Sequence, residues 1–99
     1  MPGIVRVDLD EHAGHESTSP APFHKTKYAE GSATVFIDTK RVVRQGDKTY
    51  CGDPATGASG TVFVDGKPVH RKGDATGGHG SWVANSASTG SGAVFADGG

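Results

Sequence analysis

Six side chains of this sequence carry the donor atoms that transition metals prefer, five of them histidines and one a cysteine, within 99 residues. Imidazole nitrogen and thiolate sulfur together suit zinc better than calcium or magnesium. The alternative is that the histidines are ordinary solvated residues and the cysteine a small buried apolar residue. The positions decide between these interpretations, and they are His12, His15, His24, Cys51, His70 and His79.

The composition indicates a chain with little core to stabilise it. Apolar residues make up 33% of the sequence, and 16 glycines stand among many Ser, Thr and Asp residues. That mixture is typical of short strands joined by tight turns. A single cysteine excludes an internal disulfide, so a metal or a partner is the expected source of further stability.

Several function classes are disfavoured by the same sequence. A net charge of −1 predicts no nucleic-acid partner, and no apolar run approaches the roughly 20 residues of a membrane span. The first residues lack the apolar segment of a signal peptide. The motifs of serine hydrolases, zinc proteases and phosphate-binding loops are missing from the sequence, and we therefore expect no enzyme.

A gapless internal repeat organises the chain. Residues 34–47 (TVFIDTKRVVRQGD) and 61–74 (TVFVDGKPVHRKGD) are identical at nine of fourteen positions. The run Thr-Val-Phe favours a strand, Asp65-Gly66 is a strong two-residue turn signal, and the alternation that follows predicts a second strand. Each copy is therefore predicted to be a hairpin, with Asp38-Thr39 as a weaker turn of the same shape.

A third copy is divided between the two ends of the chain. Residues 93–99 (AVFADGG) match the first strand and the turn, and Val5-Arg6 stand where Val43-Arg44 stand in the first copy. The termini are therefore expected to pair and to close three hairpins into a ring. Closure hides the sheet edges that a small β-protein must otherwise protect. The predicted fold is all-β, a single cone-like domain over residues 1–99 with pseudo-threefold symmetry.

These residues resemble the PAAR-repeat family, whose signature is a strand, a turn, Pro-Ala-Ala-Arg and then Gly-Asp. The best copy here reads VDGKPVHRKGD, with Pro68-Val69-His70-Arg71 in place of the four residues that name the family. The other complete copy has Arg41-Val42-Val43-Arg44. The segments HESTSPAPFHKTKYAEGS and GDATGGHGSWV are most like the small PAAR proteins of contractile phage tails.

Each predicted second strand leads into a loop with one potential ligand. Cys51 stands four residues after Asp47, His79 five residues after Asp74, and His15 five residues after Asp10. The repeat is expected to bring these three side chains to one level around the axis, where they would form a zinc-binding face.

The sequence offers three candidates for the fourth ligand. The resemblance implies three histidines and one cysteine, and His24 in the long first loop is the preferred fourth ligand. His12 is a rival with a strained spacing to His15. His70 is the other rival, although its repeat equivalents Val5 and Val43 favour a packing role. The expected cofactor is one structural zinc, with iron as an alternative.

Two further sets of residues recur in the copies. Phe36, Phe63 and Phe95 occupy one repeat position and are predicted to form a core layer around the axis. Arginines recur as well, and they are expected either to pair with the aspartates that end each copy or to face a partner. They are Arg6, Arg44 and Arg71, with Asp10, Asp47 and Asp74.

The function that the resemblance implies is mechanical. The cone would cap the trimeric β-helical spike of a contractile injection machine and sharpen it for piercing a target envelope. The partner would be the central spike of a phage tail baseplate or a VgrG-like spike of type VI secretion. The protein would accordingly be found in the virion or be secreted, and would be monomeric on its own. The alternatives are a zinc-dependent hydrolase and a glycine-rich binding module without metal.

Overall fold

The computed structural model describes residues 3–12, 26–50, 52–77, 85–92 and 94–96. Every regular element in these ranges is a short strand or a β-bridge, and the all-β prediction is confirmed. None of the described segments is a helix that could cross a membrane. The strands are β1 (Phe36–Ile37), β2 (Lys40–Arg41), β3 (Phe63–Val64), β4 (Lys67–Pro68), β5 (Ala75–Thr76) and β6 (Asn85–Ser86).

The two complete copies fold into the predicted hairpins. Strand β1 pairs antiparallel with β2 through Phe36 and Arg41, and β3 pairs with β4 through the equivalent residues Phe63 and Pro68. Both turns have positive φ at both central residues, 53° and 66° at Asp38 and Thr39, and 54° at Asp65 with 78° at Gly66. This is the turn type whose twist matches a two-residue hairpin.

The third hairpin is built from the two ends of the chain, as predicted. Gly3 forms an antiparallel bridge with Phe95, and the Ile4 amide donates to the Val94 carbonyl at 3.1 Å. In the first copy, the amide of Val42 donates to the carbonyl of Val35 over the same distance. The split copy therefore repeats the register of the continuous ones.

Backbone pairing then joins the three hairpins into a closed ring. Bridges connect Arg6 to Val42, Arg44 to Val69 and Ile4 to Arg71, so that each copy pairs with the next. The amide of Val43 donates to Val5, that of His70 to Val43, and that of Val5 to His70, each at 3.0 Å. Equal distances at equivalent positions show a pseudo-threefold axis within one chain.

A second ring of short paired segments continues from the first. Each segment pairs on both sides, because Tyr28 bridges Thr49, Ala55 bridges Thr76 and Ala87 bridges His12, while other bridges complete the circle. We call the hairpin ring the lower tier, and its described residues are 3–6, 32–45, 59–72, 91–92 and 94–96. The upper tier comprises the described residues 7–12, 26–31, 46–50, 52–58, 73–77 and 85–90.

The apolar core has two layers that follow the two tiers. Ile4, Val42 and Val69 are equivalent residues and form the lower layer with Ala96, against which Ile37, Val62 and Val64 pack. The other layer contains residues of the upper tier together with Val5 and Val43, which stand where the lower tier joins it. Its upper-tier members are Val7, Tyr28, Ala55 and Ala87. Most of these side chains are Val or Ala, which agrees with the low apolar content.

The prediction for the three phenylalanines is wrong. Phe36 and Phe63 are each 55% exposed and Phe95 is 45% exposed, so none of them is a core residue. The reason is the alternation of side chains along a strand. Ile37 and Val64, the neighbours of Phe36 and Phe63, pack on the lower core layer, and the phenylalanines consequently point to the other side.

Candidate functional site

A repeated arginine–aspartate pair links the two tiers. The Nε atom of Arg6 donates to Asp10 at 2.8 Å, and the same bond joins Arg44 to Asp47 at 2.9 Å and Arg71 to Asp74 at 2.8 Å. In each pair the same carboxylate oxygen also accepts the backbone amide of its arginine. Of the two roles expected for these arginines, pairing with these aspartates is the one that the structure shows.

Two of these arginines also hold the turn of the next hairpin. Arg6 donates through Nη1 to Asp38 at 2.7 Å, and Arg44 donates to Asp65 at 3.1 Å. The turn aspartates accept serine hydroxyls as well, from Ser91 to Asp38 and from Ser32 to Asp65. The equivalent turn residue of the third copy, at position 97, lies outside the described residues.

Hydrogen bonding at these turns has an electrostatic consequence. The hydroxyls of Ser32 and Thr34 donate to the Asp65 carboxylate and lower its pKa, and the charge of Arg44 acts in the same direction. The Asp65 carboxylate therefore stays ionised while it accepts these hydrogen bonds. Each of the two described contacts joins one hairpin to the preceding copy by an ion pair, in addition to the backbone hydrogen bonds.

The sequence analysis missed the serines that start each hairpin. Ser32 Oγ accepts the amides of Thr34 and Val35, Ser59 Oγ accepts those of Thr61 and Val62, and Ser91 Oγ accepts that of Val94. A detectable signal was present, because a serine stands four residues before the phenylalanine in all three copies. Extending the repeat by two residues would have revealed it.

His70 is buried at the axis with both ring nitrogens engaged. Its Nδ1 lies 2.7 Å from the Gly57 carbonyl, which can only accept, so Nδ1 carries the proton. Its Nε2 then accepts from the hydroxyl of Tyr28 at 3.0 Å, and the Thr76 hydroxyl contacts both groups. Burial lowers the pKa of His70, which favours the neutral ring.

His12, the other described histidine, is also fully buried. Its Nε2 accepts the backbone amide of Thr26 at 2.9 Å. An imidazole nitrogen that accepts a backbone hydrogen bond has no lone pair left for a metal. The hydrogen bond between Thr26 and His12 joins the two paired segments of the upper tier on either side of the long first loop.

All four predicted metal ligands, His15, His24, Cys51 and His79, lie outside the described residues. They belong to the three segments that connect paired upper-tier strands, namely residues 13–25, 51 and 78–84. The last described residues before these segments are His12, Tyr50 and Gly77. The equivalent residues of the three copies at this point are His12, Thr49 and Thr76. Within the described residues no group of three or more His, Cys, Asp or Glu side chains could hold a metal, so the predicted site stays a prediction.

The lower tier presents the other candidate functional surface. The three half-exposed phenylalanines lie there at equivalent positions around the axis, and Val35 and Val94 are 37% and 38% exposed beside them. The apolar set belongs to the lower tier, whereas His12, Tyr50 and Gly77, the described residues that precede the predicted ligands in sequence, belong to the upper tier.

Comparison with known proteins agrees with this architecture. Residues 11–57 match the PAAR motif family, and this range contains His15, His24 and Cys51 but not His79. No curated protein sequence matches the chain. The matched motif and the three equivalent hairpins make this chain similar to the PAAR-motif family, whose members are structural tip components of contractile injection systems.

Proposed function

We propose that this protein caps a trimeric β-helical spike, with the lower tier against the spike and the upper tier at the point. The observation that carries the proposal is the set of three equivalent, half-exposed phenylalanines on a ring of pseudo-threefold symmetry. A single chain with three like faces can meet each subunit of a trimer in the same way. The machine would be a contractile phage tail or a type VI secretion system.

Exposed aromatic side chains support docking at this tier. Phenylalanine is enriched at the centres of protein interfaces, and burying a large apolar side chain contributes about 1.5–3 kcal/mol. Phe36, Phe63 and Phe95 are the exposed large residues that recur in all three copies. Covering them with a spike would remove an apolar surface that an isolated chain leaves in water.

The upper tier is the proposed tip of the spike, and a bound metal ion would stabilise it. His15, His24, Cys51 and His79 form a donor set that fits zinc, or iron, better than harder cations. Four protein ligands leave no open position for water, so the metal would tie the connecting segments together and perform no hydrolysis. The described residues His12, Thr49 and Thr76, which stand just before these segments in sequence, are equivalent in the upper tier, and this supports the proposal.

Binding to the spike protein of the same machine tests the proposal. Exchanging the three phenylalanines for serine should abolish binding, because the apolar contact is lost from every side of the ring. A matched control exchanges Leu9 and Tyr50 for serine, since these residues are also exposed, at 42% and 63%, but lie in the upper tier. Loss of binding in the control, or its retention in the phenylalanine variant, would contradict the proposal.

A further inference from the structure

The two tiers carry opposite charge although the chain is nearly neutral as a whole. Among the described residues the lower tier has seven basic and two acidic side chains, and the upper tier has seven acidic and two basic ones. The basic residues of the lower tier are Arg6, Lys40, Arg41, Arg44, Lys67, Arg71 and Lys72. The acidic residues of the upper tier are Asp8, Asp10, Glu11, Glu30, Asp47, Asp53 and Asp74.

Pairing across the tiers cancels part of this charge difference but leaves several cations of the lower tier without an acidic partner among the described residues. The two acidic side chains of the lower tier, Asp38 and Asp65, are held by Arg6 and Arg44. The three paired arginines also neutralise aspartates of the upper tier. The remaining cations of the lower tier form no ion pair with any residue that the structure describes, and they are Lys40, Arg41, Lys67 and Lys72. Arg41 donates to the Ala29 carbonyl at 3.4 Å, which leaves its charge without an acidic partner there.

Three of these cations, Lys40, Arg41 and Lys67, stand on the same hairpins as Phe36 and Phe63. Arg41 is the cross-strand partner of Phe36, and Lys40 is paired with the adjacent Ile37. Lys67 is paired with Val64, the residue after Phe63. Cross-strand partners lie side by side on one face of a ladder, so Arg41 borders Phe36, whereas Lys40 and Lys67 lie next to the hairpin turns beside Ile37 and Val64.

We propose that the surface that receives the lower tier is apolar at its centre and bordered by carboxylates. This inference rests on the proposed function, because it specifies the chemistry of the spike surface. Charges at the edge of an interface speed up association and select partners, and they lose their effect in salt. An apolar centre alone would give binding that salt does not weaken.

Retention on a carboxymethyl matrix tests the charge partition without any spike protein. Above the isoelectric point of about 6.5, an evenly charged chain would flow through such a matrix at low ionic strength. We expect retention of this protein through its lower tier, loss of retention in K40E/K67E, and unchanged retention in K27E/K48E. The two variants change the net charge by the same amount, so equal retention of both would overturn the inference. Flow-through of the unaltered protein would overturn it as well.

Spike binding tests the partner chemistry. The dissociation constant should rise at least about tenfold between low salt and about 0.5 M salt. K40E/K67E should weaken binding by a similar factor, whereas K27E/K48E should not. Salt-independent binding that still requires the phenylalanines would overturn the carboxylate border and leave the proposed function intact. Failure of the unaltered protein to bind its spike would reject the proposed function, and the partner inference with it.

Discussion

At the scale of single residues, the axis of the molecule is filled by side chains that break its symmetry. Tyr28 stands where the other copies have Ala55 and Ala87, and His70 stands where they have Val5 and Val43. Only one of three equivalent side chains can occupy the axis itself, since three large ones would collide. A single chain can therefore fill the centre with one Tyr–His pair, which a true trimer of identical chains could not do.

Burial of His70 predicts a dependence of stability on pH. In the folded protein its pKa is lowered, whereas the unfolded chain takes up a proton near the ordinary value of 6.5. Below that pH the unfolded state binds more protons, so the free energy of unfolding should decrease as the pH falls, by up to about 1.4 kcal/mol per pH unit. Urea unfolding between neutral and mildly acidic pH measures this slope.

The variant H70V provides the comparison for that slope. Valine is the residue at both equivalent positions and should fit the site, although the Gly57 carbonyl and Tyr28 hydroxyl lose a partner. Its absolute stability should therefore be lower, but its pH dependence should be shallower than that of the unaltered protein. An equal slope in both proteins would show that other histidines account for the effect.

At the scale of elements, the two continuous hairpins use one turn conformation with different residues. Thr39 has a φ of 66°, where a β-branched residue is strained, while Gly66 occupies the equivalent position with a φ of 78°. The lower tier thus accepts an unfavourable residue in one turn. The ion pairs of Asp38 with Arg6 and of Asp65 with Arg44 help to hold both turns in place.

Exchanging the residues of these turns should change stability in opposite directions. T39G should raise the free energy of unfolding by about 1 kcal/mol because it removes the left-handed strain. G66T should lower it by a similar amount in the matched turn. Thermal or urea unfolding measures both variants, and a destabilising effect of T39G would mean that the threonine side chain contributes contacts worth more than the strain.

The hairpin formed by the chain ends should be sensitive at Gly3. A Cβ atom at this position would lie 2.1 Å from the carbonyl oxygen of Ser91, far inside any normal contact. G3A should therefore cost about 1–3 kcal/mol, as overpacked positions do, and should loosen the pairing with residues 94–96. Gly92 is the control, since a Cβ there meets no atom within 4 Å, and G92A should unfold like the unaltered protein.

At the scale of the whole molecule, the two tiers divide stability and function between them. The lower tier is stabilised by backbone hydrogen bonds and arginine–aspartate ion pairs, and it carries the exposed phenylalanines. The upper tier has small residues at its centre apart from Tyr28, and it leads into the predicted ligand segments. A thin core of this kind is the situation in which small domains rely on a metal.

Metal removal should therefore destabilise the protein. Elemental mass spectrometry is expected to find near one zinc or iron per chain, and a chelator should lower the melting temperature, since a structural metal contributes on the order of 10 kcal/mol to small domains. The variant H24A should lose the metal, whereas H70V should keep it, because both nitrogens of His70 already have partners. The reverse result would identify His70 as the fourth ligand.

The sequence by itself determined the hairpins, their turns and the pairing of the chain ends, because strand and turn preferences are local and the repeat copies them three times. It also offered the arginine–aspartate pairs as one of two alternatives, since the partners stand three or four residues apart. Only the tertiary structure decided that Phe36 faces solvent, since burial depends on what the rest of the molecule packs against the strand. It likewise decided that His70 meets Tyr28, 42 residues away, because contacts across the axis leave no trace in local spacing.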